Sequence, residues 1–295
     1  MRHLPFLFIT FLAVAVSASV AAQDYAIKLT RLTKAGAKYR LDARGSLREQ
    51  QTIVSGGKTN QAVRANSIMF SGLARVLETD AGGHEIKSAI TIEKCVKTTG
   101  QSELDLLPAG KTLIATSTNG QTAFALADGS TLLPRDADLL RLVIPIYNGG
   151  TDEDSLFGSV EQRRPGSLWP INAAAVARDM QQRKMALKQE DVHGATKFVG
   201  VTNAAGREYL ELRTEMQIIN VAPPLPPATR MIRSEVSASF GGLFPVDPTR
   251  GRLSDSARWT IRLAFEGPVG PKKLETAVDS VEERESERRF THMDE

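Results

Sequence analysis

A two-residue period constrains this chain more than any other feature. Tyr25, Ile27 and Leu29 alternate with Ala26, Lys28 and Thr30. Tyr39, Leu41, Ala43, Gly45 and Leu47 alternate with Arg40, Asp42, Arg44 and Arg48, and Ile68, Phe70, Gly72, Ala74 and Val76 repeat the pattern. Successive strand residues point to opposite faces, so these segments predict strands with one buried and one wet face. That is the arrangement of antiparallel sheet, since a parallel sheet covered on both sides reads as an unbroken apolar run. Further strands are expected over Ile86–Ile92, Thr112–Thr118 and Gln121–Ala127, the last two flanking Asn119-Gly120, a pair suited to a tight hairpin. The second half repeats the signal over Val192–Thr202, Tyr209–Ile219, Ile232–Phe240 and Trp259–Phe265, interrupted by a proline-rich connector at Pro223–Pro227 and a turn at Asp247–Gly251.

Helical spacing appears twice. Asp136 is placed to cap a helix carrying Leu139, Leu140, Leu142 and Val143, which Pro145 would end. A second helix is expected from Asn172 to about Arg183. Between them, residues 148–171 are rich in Gly, Asp, Ser and Pro and read as a connection. The expected fold is α+β, mainly antiparallel sheet in two lobes, 23–147 and 172–295, with a short helix beside each side of the joint.

The first residues differ from the rest. Met1-Arg2-His3 precedes an apolar run from Leu4 to about Val16, then the small residues Ser17 to Ala22. A positive start, an apolar stretch and small residues at −3 and −1 are the parts of a secretory signal peptide, with cleavage expected after Ala22. The run is short for a membrane span. The mature chain is therefore expected to be soluble and exported, periplasmic or extracellular. In that setting the single cysteine, Cys95, is read as a small strand residue rather than a reactive or intermolecular thiol.

Composition removes several classes. With 41% hydrophobic and 24% charged residues the chain suits a globular fold, not a disordered or multi-span one. Its 37 basic and 34 acidic residues nearly cancel, and neither a basic stripe nor an aromatic platform for nucleic acid is apparent. Residues 279–295 hold seven acidic residues against three arginines, which reads as a polar edge strand or a frayed helix, the alternative being an acidic tail.

Residues suited to catalysis are few. His84 and His193 sit beside glycines and are read as solvated turn residues. Asp152-Glu153-Asp154 lacks the glycine and terminal glutamate of an EF-hand calcium loop and is read as a solvated, helix-capping loop. No zinc signature, phosphate-cradling glycine loop or nucleophile elbow occurs. The sequence thus assigns no catalytic, cofactor-binding or metal-ligating residue and no cofactor.

Leu156-Phe157-Gly158-Ser159-Val160, followed by Arg164-Pro165-Gly166-Ser167-Leu168-Trp169-Pro170, resembles the central motif of a family of uncharacterised exported bacterial β-rich proteins. In that family a Phe-Gly or apolar-Pro segment precedes a Val-Gly-Asp-Ser/Thr-Trp stretch and a helix. Here Pro165 replaces the usual valine and Ser167 the aspartate. Gly110–Ile114 with Asp128-Gly129, and Phe244–Asp247 with Gly251–Leu253 and Ser256, are similar to two further family segments. The resemblance implies an architecture and an exported location, and no activity. Trp169 is expected to pack in a core. Three functional readings remain: a non-catalytic exported protein, such as an envelope-associated binding module; a carrier of a lipid-like ligand in an apolar pocket between sheet and helix, with an apolar small molecule or an envelope protein as partner; and a hydrolase without a recognisable motif.

Overall fold

The computed structural model describes residues 23–293 except 119, 148, 205, 226–227 and 270–273. The expected leader, residues 1–22, and its cleavage site lie outside the described residues. In chain order the elements are β1 (Tyr25–Ile27), β2 (Lys38–Ser55), β3 (Lys58–Thr79), β4 (Glu85–Thr99), β5 (Ser102–Asp105), β6 (Thr112–Thr118), β7 (Gln121–Leu126), α1 (Pro134–Val143), α2 (Glu153–Phe157), β8 (Ser159–Arg163), β9 (Leu168–Pro170) and α3 (Ala173–Gln182). A single 3-10 turn (Gln189–Asp191) leads into β10 (Val192–Ala204), β11 (Arg207–Ile219), β12 (Arg230–Pro245), β13 (Ser254–Val269) and β14 (Leu274–His292).

The fold is mainly antiparallel sheet with short helices, as the alternation predicts. Strands from both halves of the chain run through one sheet in the order β7-β6-β4-β3-β2-β14-β13-β12-β11-β10-β9, with β5 added beside β4. Its two ends do not meet, so it is not a closed barrel. β1 and β8 form a separate two-stranded ladder. The long β2–β3 hairpin closes at Gly56-Gly57, whose φ angles of 56° and 74° are those of a two-residue turn that only glycine or asparagine adopts readily.

The acidic end corrects the expectation of an edge strand or frayed helix. It is β14, the middle strand of the sheet, paired with β2 on one side and β13 on the other. Four of its carboxylates, Asp279, Glu283, Glu285 and Glu287, share one face, where neighbouring strands supply arginines. Arg44 meets Glu287 at 2.5 Å, Arg258 meets Glu285 at 2.6 Å, Arg48 meets Glu283 at 3.6 Å and Arg233 meets Asp279 at 2.9 Å. Each such exposed pair contributes at most about 1 kcal/mol. Together they remove the repulsion that makes an acidic run look like a tail.

The helices cover the opposite face. Leu139, Leu140 and Val143 of α1 are at most 2% exposed and close a core with Leu41, Phe70, Ile90 and Leu113. Burial of each such side chain is worth about 1.5–3 kcal/mol. Gly45 permits this approach, because a Cβ there would lie 3.0 Å from the Leu142 Cβ and 3.2 Å from the Val143 Cγ1. Asp136 does not cap α1 as expected. Leu133 holds that place, Pro134 pre-sets the first turn, and Asp136 within that turn pairs with Lys97 at 3.0 Å.

On the other side of β14, α3 starts as the sequence indicates, with Asn172 accepting from the Ala175 N–H. Val176 and Ala177 pack on Met216, Ile218, Val236 and Ala238. Trp169 is 4% exposed, packs with Phe198 and Leu210, and donates its indole N–H to the Phe157 carbonyl at 3.0 Å. Asp152 caps α2 by accepting from the Ser155 N–H. Glu153 reaches Arg252 at 2.8 Å, Arg252 also reaches Asp255, and Arg288 of β14 meets Asp255 at 2.6 Å. Burial works against the Arg252 cation, yet Glu153 and Asp255 hold its pKa above the usual arginine value. This network ties the connecting segment to the centre of the sheet.

Candidate functional site

The residues weighed for chemistry do not converge. His84 is not a solvated turn residue. Its side chain is 18% exposed, its Nδ1 lies 3.0 Å from the Asp80 Oδ2, and its ring stacks on Tyr147 at 4.1 Å. The Asp80–Gly83 turn brings this about, since it returns the Asp80 carboxylate to the His84 backbone N–H at 2.8 Å. That hydrogen bond is the largest of the causes that hold the Asp80 carboxyl below the ordinary range. His193 lies exposed in β10 rather than in a turn, on the far side of β14 from His84. Cys95 is 1% exposed in β4, and burial pushes its thiol up to about 12.

The concave surface of the molecule is elsewhere. α1 and α3 pack directly on the apolar face of the sheet, whereas the helix-free face forms a trough of about 1010 Å³. That volume is at the upper end of the range for small-molecule sites. Two cross-strand rows make its floor. One runs Lys94, Ser71, Asp42, Arg289, Ser254, Leu243, Glu211 across β4, β3, β2, β14, β13, β12 and β11. The next runs Met69, Arg44, Glu287, Ser256, Gly241, Arg213.

Small residues hollow the middle. A Cβ added to Gly241 would lie 3.1 Å from the Ser256 Oγ, so the absence of a side chain on β12 and the short serines on β13 leave the depression. Met69 is 50% exposed and Leu243 half-buried, both facing the trough. Around them the arginine and lysine side chains present aliphatic stems with charged ends, a surface that offers both carbon and charge. The trough carboxylates are neutralised within the protein. Asp42 is held by Arg40 at 3.0 Å, Glu287 by Arg44 at 2.5 Å and Glu211 by Arg213 at 2.8 Å.

Most of these trough residues are not singled out by the sequence. They are the polar members of alternating strands, and the same pattern describes any solvent-facing side of a sheet. Only Gly241-Gly242 and the paired serines Ser254 and Ser256, too small for a strand surface, carry a signal.

The fold and the trough thus define an open-sheet β protein with a cleft on its helix-free face. No protein-family model matches the chain, and no curated protein matches it. Among solved structures it is similar to lipovitellin, in a study of lipid–protein interactions, at 8% identity and a TM-score of 0.36 over 85% of this chain. The chain spans about a quarter of the lipovitellin chain, 25%. It is also similar to an outer-membrane channel from Pseudomonas putida F1, at 9% identity, covering 88% of this chain and 97% of that one with a TM-score of 0.20. A DUF1329 family protein from Desulfovibrio piger matches at 10% identity over 80% of this chain and 83% of that one, TM-score 0.16. Among the described residues no helix is long and apolar enough to cross a membrane.

Proposed function

We propose that this is an exported, non-catalytic binding protein that holds an elongated amphiphile in the trough on the helix-free face of the sheet. The observation that carries the reading is the trough itself: a cleft of about 1010 Å³ whose floor combines Met69 and Leu243 with the aliphatic stems and charged ends of arginine and lysine side chains. A ligand with an apolar body and a polar head matches that division, because carbon buried on the floor contributes by area while charged ends stay wet. The residues most suited to proton transfer or nucleophilic attack lie outside the trough lining: His84 is engaged by Asp80 and Cys95 is buried. The favoured location for an apolar moiety is therefore the face opposite the helices, and not the sheet–helix interface, where Leu139, Leu140 and Val143 of α1 are already at most 2% exposed.

The test is Ser256→Trp, which places an indole on the floor at an exposed position remote from either core. Titration calorimetry with a single-chain alkyl phosphate, below its critical micelle concentration, is expected to show an affinity at least about tenfold weaker for the variant. Circular dichroism and thermal midpoint should stay those of the native protein. Equal affinity for both proteins would overturn the assignment of the ligand to the trough.

A further inference from the structure

We infer that the trough selects an anionic ligand, with the acidic group held between Lys94 and Arg289. The inference rests on the reading of the trough as the binding site and adds the charge of what enters it.

The argument is one of compensation. Asp42, Glu211 and Glu287 are the carboxylates whose side chains belong to the two floor rows, and each is engaged by an arginine at 3.0 Å or less. Arg40 divides itself between Asp42 and Glu93, and Glu93 is not part of the lining. Of the four cations in the rows, Arg44 and Arg213 are spent on Glu287 and Glu211. The side chains of Lys94 and Arg289 have no hydrogen-bond or ion-pair partner among the described residues, and both are exposed. The Asp255 carboxylate is also unavailable, since Arg252 and Arg288 hold it.

The two free cations stand in the same cross-strand row. Lys94 pairs across to Ser71, Ser71 to Asp42 and Asp42 to Arg289, so their backbones are three strand spacings apart, about 14 Å. Both side chains are long enough to bend inward over a concave floor towards one acidic group. An ammonium and a guanidinium suit a phosphate, sulfate or carboxylate, and hydrogen bonds to charged groups are the stronger ones. A cationic or neutral head finds no carboxylate in the rows that is not already paired.

The experiment compares three amphiphiles of equal chain length, an alkyl phosphate, an alkyl maltoside and an alkyltrimethylammonium salt, with inorganic phosphate as a fourth ligand. Calorimetry is run on the native protein and on the double variant Lys94→Gln, Arg289→Gln, both exposed positions at which little effect on stability is expected. The alkyl phosphate should bind the native protein at least about tenfold more tightly than the other two, and the double variant should lose that preference. Inorganic phosphate alone should bind weakly, with the chain adding affinity. Equal affinity of all three amphiphiles for the native protein, or a preference that survives in the double variant, would overturn the inference and leave the trough reading standing. Phosphate binding unaided by an alkyl chain would keep the anion and remove the amphiphile. Absence of binding by any of the four would remove both.

Discussion

Glu85 shows how a single buried carboxyl sets a pH dependence. It accepts from the Tyr39 hydroxyl at 2.9 Å and from the Ser88 hydroxyl, yet its pKa is raised, because burial outweighs the two hydrogen bonds. A carboxyl raised in the folded state binds its proton more tightly there than in the unfolded chain. Its contribution to stability is therefore complete below the ordinary carboxylate pKa and declines as pH rises through the raised value. Glu85→Gln keeps an acceptor for both hydroxyls and removes the charge. Denaturation of both proteins across pH should show the variant gaining on the native protein as pH rises through that window, and a difference independent of pH would contradict the account. Nothing in the sequence around Glu85 marks it out, since its partner Tyr39 comes from a strand two places away. Cys95 was legible as a strand residue, because it continues the charged strand pattern of its neighbours Glu93 to Lys97 and has no second cysteine to pair with. His84 was not, since its partner Asp80 is supplied by a turn whose geometry the sequence leaves open.

At the scale of elements, the strands and helices were mostly legible because each carries its own period. Their limits were not. β2 and β3 extend well past the apolar alternation, to Ser55 and Lys58, because a neighbouring strand completes the hydrogen bonds that periodicity cannot report. His193-Gly194 reads as a turn, yet Gly194 lies inside β10 and is there for contact rather than for bending. A Cβ at Gly194 would collide with the Glu215 carbonyl oxygen on β11 and lie 2.9 Å from the Ile171 Cδ1. Backbone does not yield easily, so Gly194→Ala should cost more than about 2 kcal/mol in denaturant unfolding. Gly200→Ala, in the same strand with nothing within 4 Å of its would-be Cβ, should change stability by under about 1 kcal/mol. Equal effects at the two positions would mean that β10 does not approach β11 and Ile171 in this way.

The molecule as a whole turns on the placement of β14. The last strand joins β2 to β13, so strands from both halves of the chain share one sheet, and its two faces divide the work. One face packs under α1 and α3. The other lines the trough with residues drawn from β2, β3, β4, β10, β11, β12, β13 and β14. No sequence segment contains that site, which is why alternation predicts its residues as ordinary wet positions. The acidic run 279–295 looked detached for a related reason: the arginines that neutralise it, Arg44, Arg48, Arg233 and Arg258, are far away in sequence. The central claim is that ligand occupies the helix-free face. Photo-crosslinking with an alkyl phosphate that carries a diazirine in its chain, read by peptide mass spectrometry, tests it directly. Labelling is expected at Met69, Leu243 and their neighbours in the two floor rows. Labelling confined to Trp259, Ile261 and the α3 side of the sheet, where Trp259 packs on Phe240, would contradict it.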